Sequence, residues 1–259
     1  MEKVILVTAG SRGIGAAICR RAGLEGYRVA VNYHQSEAEA NRVVADIVAA
    51  GGVAKAYRAD VTIEDDVVAM FAAIDRDLGP TTALVNNAGG GSIVLGKPGV
   101  RVDEATRAEM DAMLALNLTS TMMCSREAIK RMSTKHGGKG GAIVNISSDC
   151  ARRGGVSSRK GGVEGLVLYS AAKAAVDGFT LTLAVEVAEE GIRVNAIRPA
   201  TILTPAKDIY GKEHVANMAK TIPLGRPGRP EEIADCAMFL LSDKAAFATA
   251  AFVDMTGGR

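Results

Sequence analysis

The chain's strongest constraint on its own fold is an alternation. Short β-branched runs, VILVT (4–8), RVAVN (28–32), AKAYRA (54–59), ALVNN (83–87), AIVNIS (142–147), RVNAI (193–197) and AFVD (251–254), are separated by longer stretches of helical period. Continuous apolar runs of this kind, as opposed to strict apolar–polar alternation, belong to strands buried on both faces, so they predict an α/β fold with a parallel sheet covered by helices on each side. Helices are predicted near 13–25, 36–50, 64–77, 103–135, 168–190 and 231–241. In the fifth, Ala172, Val176, Phe179, Leu183 and Val187 recur at steps of four and three, and Gly191 supplies the stop. With no linker, internal repeat or compositional break, residues 1–259 are expected to form one domain.

Composition agrees with that architecture and narrows the function. A chain of 259 residues can bury roughly 70–75% of its unfolded surface. The absence of Trp, the 29 Gly and the 48% apolar content describe a core of small aliphatic side chains at close helix–sheet distances. A net charge of +2 gives no reason to expect a nucleic acid as the main partner. Cys19, Cys124, Cys150 and Cys236 form no CxxC pair and have no nearby His, so neither a metal site nor a disulfide framework is expected. A strand-like run follows Met1-Glu2-Lys3 at once, and no apolar run approaches the ~20 residues of a membrane helix. The expected setting is soluble and cytoplasmic, with no membrane partner.

In a doubly wound sheet the carboxyl ends of the strands carry the ligand. After the first run comes Thr8-Ala9-Gly10-Ser11-Arg12-Gly13-Ile14-Gly15 and then a helix. Glycines at such a turn let the backbone approach a pyrophosphate, whose charge meets unpaired N–H groups at the helix N-terminus; a tight turn with no ligand is the alternative. Residues 88–102 and 149–168 are Gly-rich, irregular and placed directly after the fourth and fifth strands, where long loops are more often functional than incidental. Tyr169 and Lys173 stand at i and i+4 and so share a helix face. A lysine ammonium beside a phenol favours phenolate and draws the Tyr toward useful acid/base range. Taken alone, that pair reads as a solvated helix face, since Tyr and Lys fall at i and i+4 on many such faces.

Together these segments resemble the short-chain dehydrogenase/reductase family in its compact single-domain form. TAGSRGIG is similar to the family's TGxxxGxG, Asn86-Asn87-Ala88-Gly89 to NNAG, Asp60-Val61 to the adenine-contacting DV, and Tyr169-Ser170-Ala171-Ala172-Lys173 to YxxxK. Arg193 through Pro199 resembles RVNxxxPG, and Leu240-Leu241-Ser242-Asp243 the late FLxSD. The resemblance, closest to bacterial sugar-dehydrogenase and 3-oxoacyl-carrier-protein-reductase-like members, implies a Rossmann-like seven-stranded sheet. Three positions depart from the pattern. Ala9 stands for the first Gly, Ala200 for the Gly after Pro199, and the last strand ends Val253-Asp254-Met255-Thr256-Gly257-Gly258. An Ala at position 9 is tolerable at negative φ and costly at positive φ.

The resemblance also implies a catalytic set. Tyr169 exchanges a proton with the substrate oxygen, Ser148 hydrogen-bonds that oxygen, Lys173 tunes Tyr169 and holds the nicotinamide ribose, and Asn117 fixes a relay water. Ser147 competes with Ser148, because strand alternation cannot present both hydroxyls on one face. Asn117 could instead bond backbone within its helix. Ile202 and Thr204 would meet the nicotinamide carboxamide. The second strand ends Val31-Asn32-Tyr33-His34 with no carboxylate before Glu37, and Arg12 lies in the Gly loop, so NADP(H) is expected over NAD(H). His34, His136 and His214 are expected at the surface.

The implied activity is interconversion of a small-molecule alcohol and carbonyl, in a homo-tetramer or homo-dimer built on helices 103–135 and 168–190. A catalytically silent nucleotide-binding regulator and a cofactor-retaining epimerase are the alternatives. Tyr169 follows Ser148 by 21 positions, more than the family's usual spacing, so residues 149–168 hold an insertion. Its Arg152, Arg153, Arg159 and Lys160 suggest either a lid for an anionic substrate or a merely solvated loop.

Overall fold

The computed structural model describes residues 3–96, 99–155, 165–204, 216–217 and 219–259. Seven strands, β1 (Val4–Val7), β2 (Arg28–Tyr33), β3 (Val53–Arg58), β4 (Ala83–Asn86), β5 (Gly141–Ile146), β6 (Ile192–Pro199) and β7 (Phe252–Met255), join one sheet. Its order is β3-β2-β1-β4-β5-β6-β7 and every pairing is parallel. The chain therefore winds outward from β1 to β3, returns to the centre at β4 and winds the other way. The resulting reversal opens a crevice at the carboxyl ends of β1 and β4.

The helices are α1 (Gly13–Leu24), α2 (Glu37–Ala49), α3 (Glu64–Asp77), α4 (Gly91–Leu95), α5 (Arg107–Leu114), α6 (Ser120–Met132), α7 (Asp149–Arg153), α8 (Val167–Glu186) and α9 (Pro230–Leu241). Strand pleating sorts the core into two layers. Ile5 and Val7 of β1 pack with Ile18, Val43, Ile47 and Ile233 on one face, while Val4 and Leu6 pack with Phe71, Ile74, Met132 and Leu183 on the other. Each such side chain, fully buried, contributes about 1.5–3 kcal/mol relative to exposure.

Two expectations need correction. Residues 103–135 do not form one helix: α5 begins after Thr106, whose hydroxyl accepts from Glu109 N while the Glu109 carboxylate accepts from Thr106 N, a capping box that fixes the start. A π-helical turn, Ala115–Thr119, then separates α5 from α6. Nor is 149–168 wholly irregular, because α7 occupies its first five positions and α8 begins at Val167; residues 156–164 lie outside the described residues.

The RVN and LLSD segments meet far from the crevice. Arg193 donates to the carbonyls of Leu240 (2.7 Å) and Ser242 (3.1 Å) at the C-terminus of α9, and to that of Ala248 (3.2 Å) in the loop before β7. Asn195 donates to Ala248 O and accepts from Ala251 N. These motif residues fasten the last helix to the sheet.

Candidate active site

The glycine loop is shaped by side chains from neighbouring strands. Thr8 Oγ1 accepts from both Asn87 N and Ala88 N (2.9 Å each), and Asn87 Nδ2 donates to the carbonyls of Thr8 and Ala9 (3.0 and 3.1 Å). Asn32 is 2% exposed; its Oδ1 accepts from Ala9 N at 3.0 Å and its Nδ2 lies within bonding distance of the Tyr33, Tyr57 and Ala59 carbonyls. The Asn32 amide is thus spent on backbone, and Tyr33 is buried beside it. Ala9 adopts φ +49° and Gly13 φ +53°. Position 9 is therefore in the left-handed region, where the departure from Gly carries strain.

Close packing leaves no space for a side chain at the loop's Gly10 and Gly15. A Cβ at Gly15 would overlap the Ala9 carbonyl oxygen and lie 2.6 Å from Asn87 Nδ2, and one at Gly10 would stand 2.9 Å from Cys19 Sγ. Gly13 faces Thr204, whose Cγ2 would be 3.1 Å from a Cβ there. Ser11 and Ile14 are half-buried, and exposed Arg12 occupies the N-cap of α1, whose first turn holds no acidic residue. Backbone N–H groups at such a bare helix start, held in a cradle that a Cβ would fill, fit the pyrophosphate of a dinucleotide.

At the end of β3, Asp60 accepts from Thr62 N (2.9 Å) and Thr62 Oγ1 (2.7 Å) and pairs with His34 at 3.7 Å. Burial opposes its negative charge, but these partners outweigh it and hold the carboxyl below its ordinary range. His34 is exposed as expected, yet it is tied to a motif residue. Val61 is buried in the second core layer. His136 is exposed, and His214 lies outside the described residues.

On the other side of the crevice the predicted catalytic residues come together. Lys173, 3% exposed, donates from Nζ to Ile146 O at 2.8 Å, and its ammonium lies 5.9 Å from the Tyr169 ring centroid. Burial pulls the Lys173 ammonium down to about 8, opposed by Asp177 one turn along α8. Asn117 is fully buried in the π-turn; its Oδ1 accepts from Gly90 N (2.9 Å), and its Nδ2 donates to Met113 O (3.0 Å). A Cβ at Gly89 would lie 2.6 Å from Asn117 Oδ1 and 2.9 Å from Lys173 Nζ, and one at Gly91 would touch Tyr169. The segment 89–91 therefore joins Asn117, Tyr169 and Lys173.

The two serines separate as pleating requires. Ser147 Oγ donates to the Lys173 carbonyl at 3.3 Å. Ser148 caps α7, with Oγ accepting from Cys150 N at 3.1 Å, which leaves its own O–H available to a ligand. Behind them, Asn86 donates to Ser125 Oγ and Asn145 Oδ1, and Asn145 donates to Thr180 Oγ1, a buried amide chain that links β4 and β5 to α6 and α8. Sequence reasoning did not find this chain, although paired Asn residues in two apolar strands were a visible signal.

Ile202 is 4% exposed and bridges Gly228, and Pro199 ends β6. The first two basic residues of the 149–168 segment are already engaged. Arg152 Nε lies 3.5 Å from Asp254 Oδ2, and Arg153 Nε lies 4.0 Å from Asp149 Oδ1. Both side chains stay partly exposed with a carboxylate of the chain within ion-pair reach; Arg159 and Lys160 lie outside the described residues.

Known proteins give the same frame. A family model described as enoyl-(acyl carrier protein) reductase matches residues 8–259. The chain belongs to the short-chain dehydrogenase/reductase family. It is 44% identical over 257 residues to an uncharacterized oxidoreductase of Escherichia coli strain K12, covering 99% of each chain. It is 36% identical over 258 residues to a 3-oxoacyl-[acyl-carrier-protein] reductase of Staphylococcus aureus, covering 100% of this chain and 98% of that one. A short-chain dehydrogenase/reductase from Serratia marcescens superposes with a TM-score of 0.87 at 30% identity, covering 99% of this chain and 97% of its own. The family is one of oxidoreductases that use nicotinamide dinucleotides and small-molecule substrates. Among the described residues no helix is long and apolar enough to cross a membrane.

Proposed function

We propose that this chain is an NADP(H)-dependent dehydrogenase/reductase that interconverts an alcohol and a carbonyl, with Tyr169 as its acid/base. The observation that carries the reading is the convergence of Tyr169, Lys173 and Asn117 on Gly89–Gly91, at the same sheet edge as Ser148 and across the crevice from the glycine loop. Backbone of residues 10–15 and 87–89, with Pro199, Ile202 and Thr204, would hold the dinucleotide. Asn32, Tyr33, Asp60 and Val61 would shape its adenosine end. When bound, that cofactor supplies or accepts the hydride.

Tyr169 gives its hydroxyl proton to the substrate oxygen in reduction and takes it back in oxidation. Ser148 donates its free O–H to the same oxygen, which orients the carbon and stabilises developing negative charge. The buried Lys173 ammonium favours phenolate at Tyr169, and Asn117, anchored to Gly90 and Met113, borders the route by which the proton is replenished. Exposed Arg12 and the absence of a carboxylate at the end of β2 support preference for a 2′-phosphate. Exposed Leu114, Met122, Leu181 and Val185 on α5, α6 and α8 support a homo-dimer or homo-tetramer assembled through those helices, with residues 1–259 acting as one domain.

The test is a panel of carbonyl compounds with NADPH, following loss of nicotinamide absorbance and analysing products. One alcohol formed per NADPH consumed is the expected result. Turnover of substrate with no net NADPH consumption would instead mark an epimerase, and no turnover with intact NADPH binding would mark a silent nucleotide-binding protein.

A further inference from the structure

We propose that Asp177 and Arg198 are positioning residues which, without touching substrate, set the charge carried by Lys173. The inference rests on the catalytic reading of Lys173 above. Asp177 follows Lys173 by one helical turn on α8 and is 8% exposed. Arg198 of β6 donates from Nε to Asp177 Oδ2 at 2.8 Å. The second oxygen, Asp177 Oδ1, is buried and has no hydrogen-bond partner among the described residues. One oxygen is thus compensated and the other is not, an arrangement that leaves part of the carboxylate's field to act on the neighbouring ammonium.

Arg198 is itself held from two sides. Its guanidinium lies 4.0 Å above the Phe252 ring centroid, and Nη1 stands 3.5 Å from Asp254 Oδ1. Asp254 in turn pairs with Arg152 of α7, so the charge chain Asp177–Arg198–Asp254–Arg152 runs from the helix of Tyr169 and Lys173 to the helix capped by Ser148. A planar guanidinium stacked on a ring and forked between carboxylates has little freedom to leave.

Asp177 is the carboxylate one helical turn from Lys173 on α8, the spacing at which side chains share a helix face. The groups around Lys173 are, from α8, Tyr169 and Asp177; from β5, the Ile146 carbonyl; from the segment after β4, Gly89; from the π-turn, the neutral Asn117 amide; from β6, Arg198 acting through Asp177. Asp149, at the start of α7, is met by Arg153 at 4.0 Å and Arg259 at 3.9 Å. Burial disfavours the ammonium, and Asp177 opposes that effect. Lys173 is accordingly charged below about 8 and loses its proton as pH rises through that value.

Removing either partner of the ion pair should move this transition in opposite directions. Asp177→Asn deletes the favourable charge and leaves Arg198 uncompensated, so the Lys173 midpoint falls. Arg198→Gln frees the full Asp177 charge, so the midpoint rises. Each displacement should be about one pH unit, on the order of a tenfold change in the charged fraction near the midpoint. The readout is NMR titration of lysine-labelled protein, with the Lys173 signal assigned by its loss in Lys173→Arg. The alkaline limb of carbonyl reduction should move in parallel.

Arg198→Lys, which keeps the charge, should leave the midpoint within a few tenths of wild type. If Arg198→Gln does not fold, Asp177→Asn and Arg198→Lys decide the matter alone. An unmoved midpoint in Asp177→Asn, or displacement of both charge-removing variants in the same direction, overturns the proposal. A fully active Tyr169→Phe would instead sink the catalytic reading, and the titration would still report whether Asp177 and Arg198 govern Lys173.

Discussion

Around the glycine loop, Thr8, Asn32, Asn87 and Asp60 turn their polar groups on nearby backbone and side-chain partners of the chain. At the ends of β5 and α8, Ser148 keeps a donor in reserve, and Lys173 stays buried and donates to Ile146 O. Both regions are rich in motif residues, yet the first uses side chains to build a backbone surface and the second presents the side chains themselves. A substitution on the loop side should therefore act through shape, and one on the α8 side through chemistry.

The sharpest way to break this comparison is Tyr169→Phe. The ring remains, so folding and NADPH affinity should match wild type while turnover falls by at least ~10²-fold. Near wild-type kcat on the best substrate of the panel would place Tyr169 with the shaping residues. Gly15→Ala tests the opposite side, since its Cβ would meet the Ala9 carbonyl and the Asn87 amide. Overpacking against backbone costs about 1–3 kcal/mol, and NADPH affinity should drop at least ~10-fold with the loop's displacement. Fluorescence titration alongside a thermal melt would show it, and an unchanged Kd would mean that the cradle is not the phosphate site.

Arg12 is the exception to be probed on the loop side, being an exposed side chain where the others are buried. Arg12→Ala should weaken NADPH by about 1–3 kcal/mol and NADH very little, as one charge-assisted contact to a 2′-phosphate would. Equal losses for both dinucleotides would return Arg12 to the ordinary surface. The smallest effect belongs to Ala9. At φ +49° a methyl group is strained, and Ala9→Gly should raise stability by about 0.5–1 kcal/mol, offset in part by greater freedom of the unfolded chain. A melting temperature lower than wild type would show that the Ala methyl is a favourable packing contact.

Sequence revealed one side of this comparison better than the other. The strand positions were legible because fully buried β1, β4 and β5 leave uninterrupted apolar runs, and Tyr169, Lys173 and Ser148 could be named because their roles follow from their own side-chain chemistry. Asn32 was legible only as a residue at a strand end, because its four backbone neighbours come from Ala9, Tyr33, Tyr57 and Ala59 and are assembled by β1, β2 and β3 together. Arg152 looked like a free cation for the same reason: Asp254, its partner, is about a hundred positions away and arrives only with β7. The start of α5 was readable in principle, since Thr106 and Glu109 have the spacing of a capping box.

The π-turn at Ala115–Thr119 has a consequence for phase. A wide turn holds one residue more than the α-helix it interrupts, and one residue is worth about 100° of rotation. The wide turn absorbs that extra residue, and Met113 before it and Cys124, Ala128 and Met132 after it are all buried. Deleting one residue between 115 and 119 should let α5 and α6 fuse into a regular helix with the α6 stripe still facing the sheet, while removing the Asn117 amide from Gly90. The extra residue therefore serves the Asn117 contact and not the packing of α6, so its loss should register in turnover before it registers in stability.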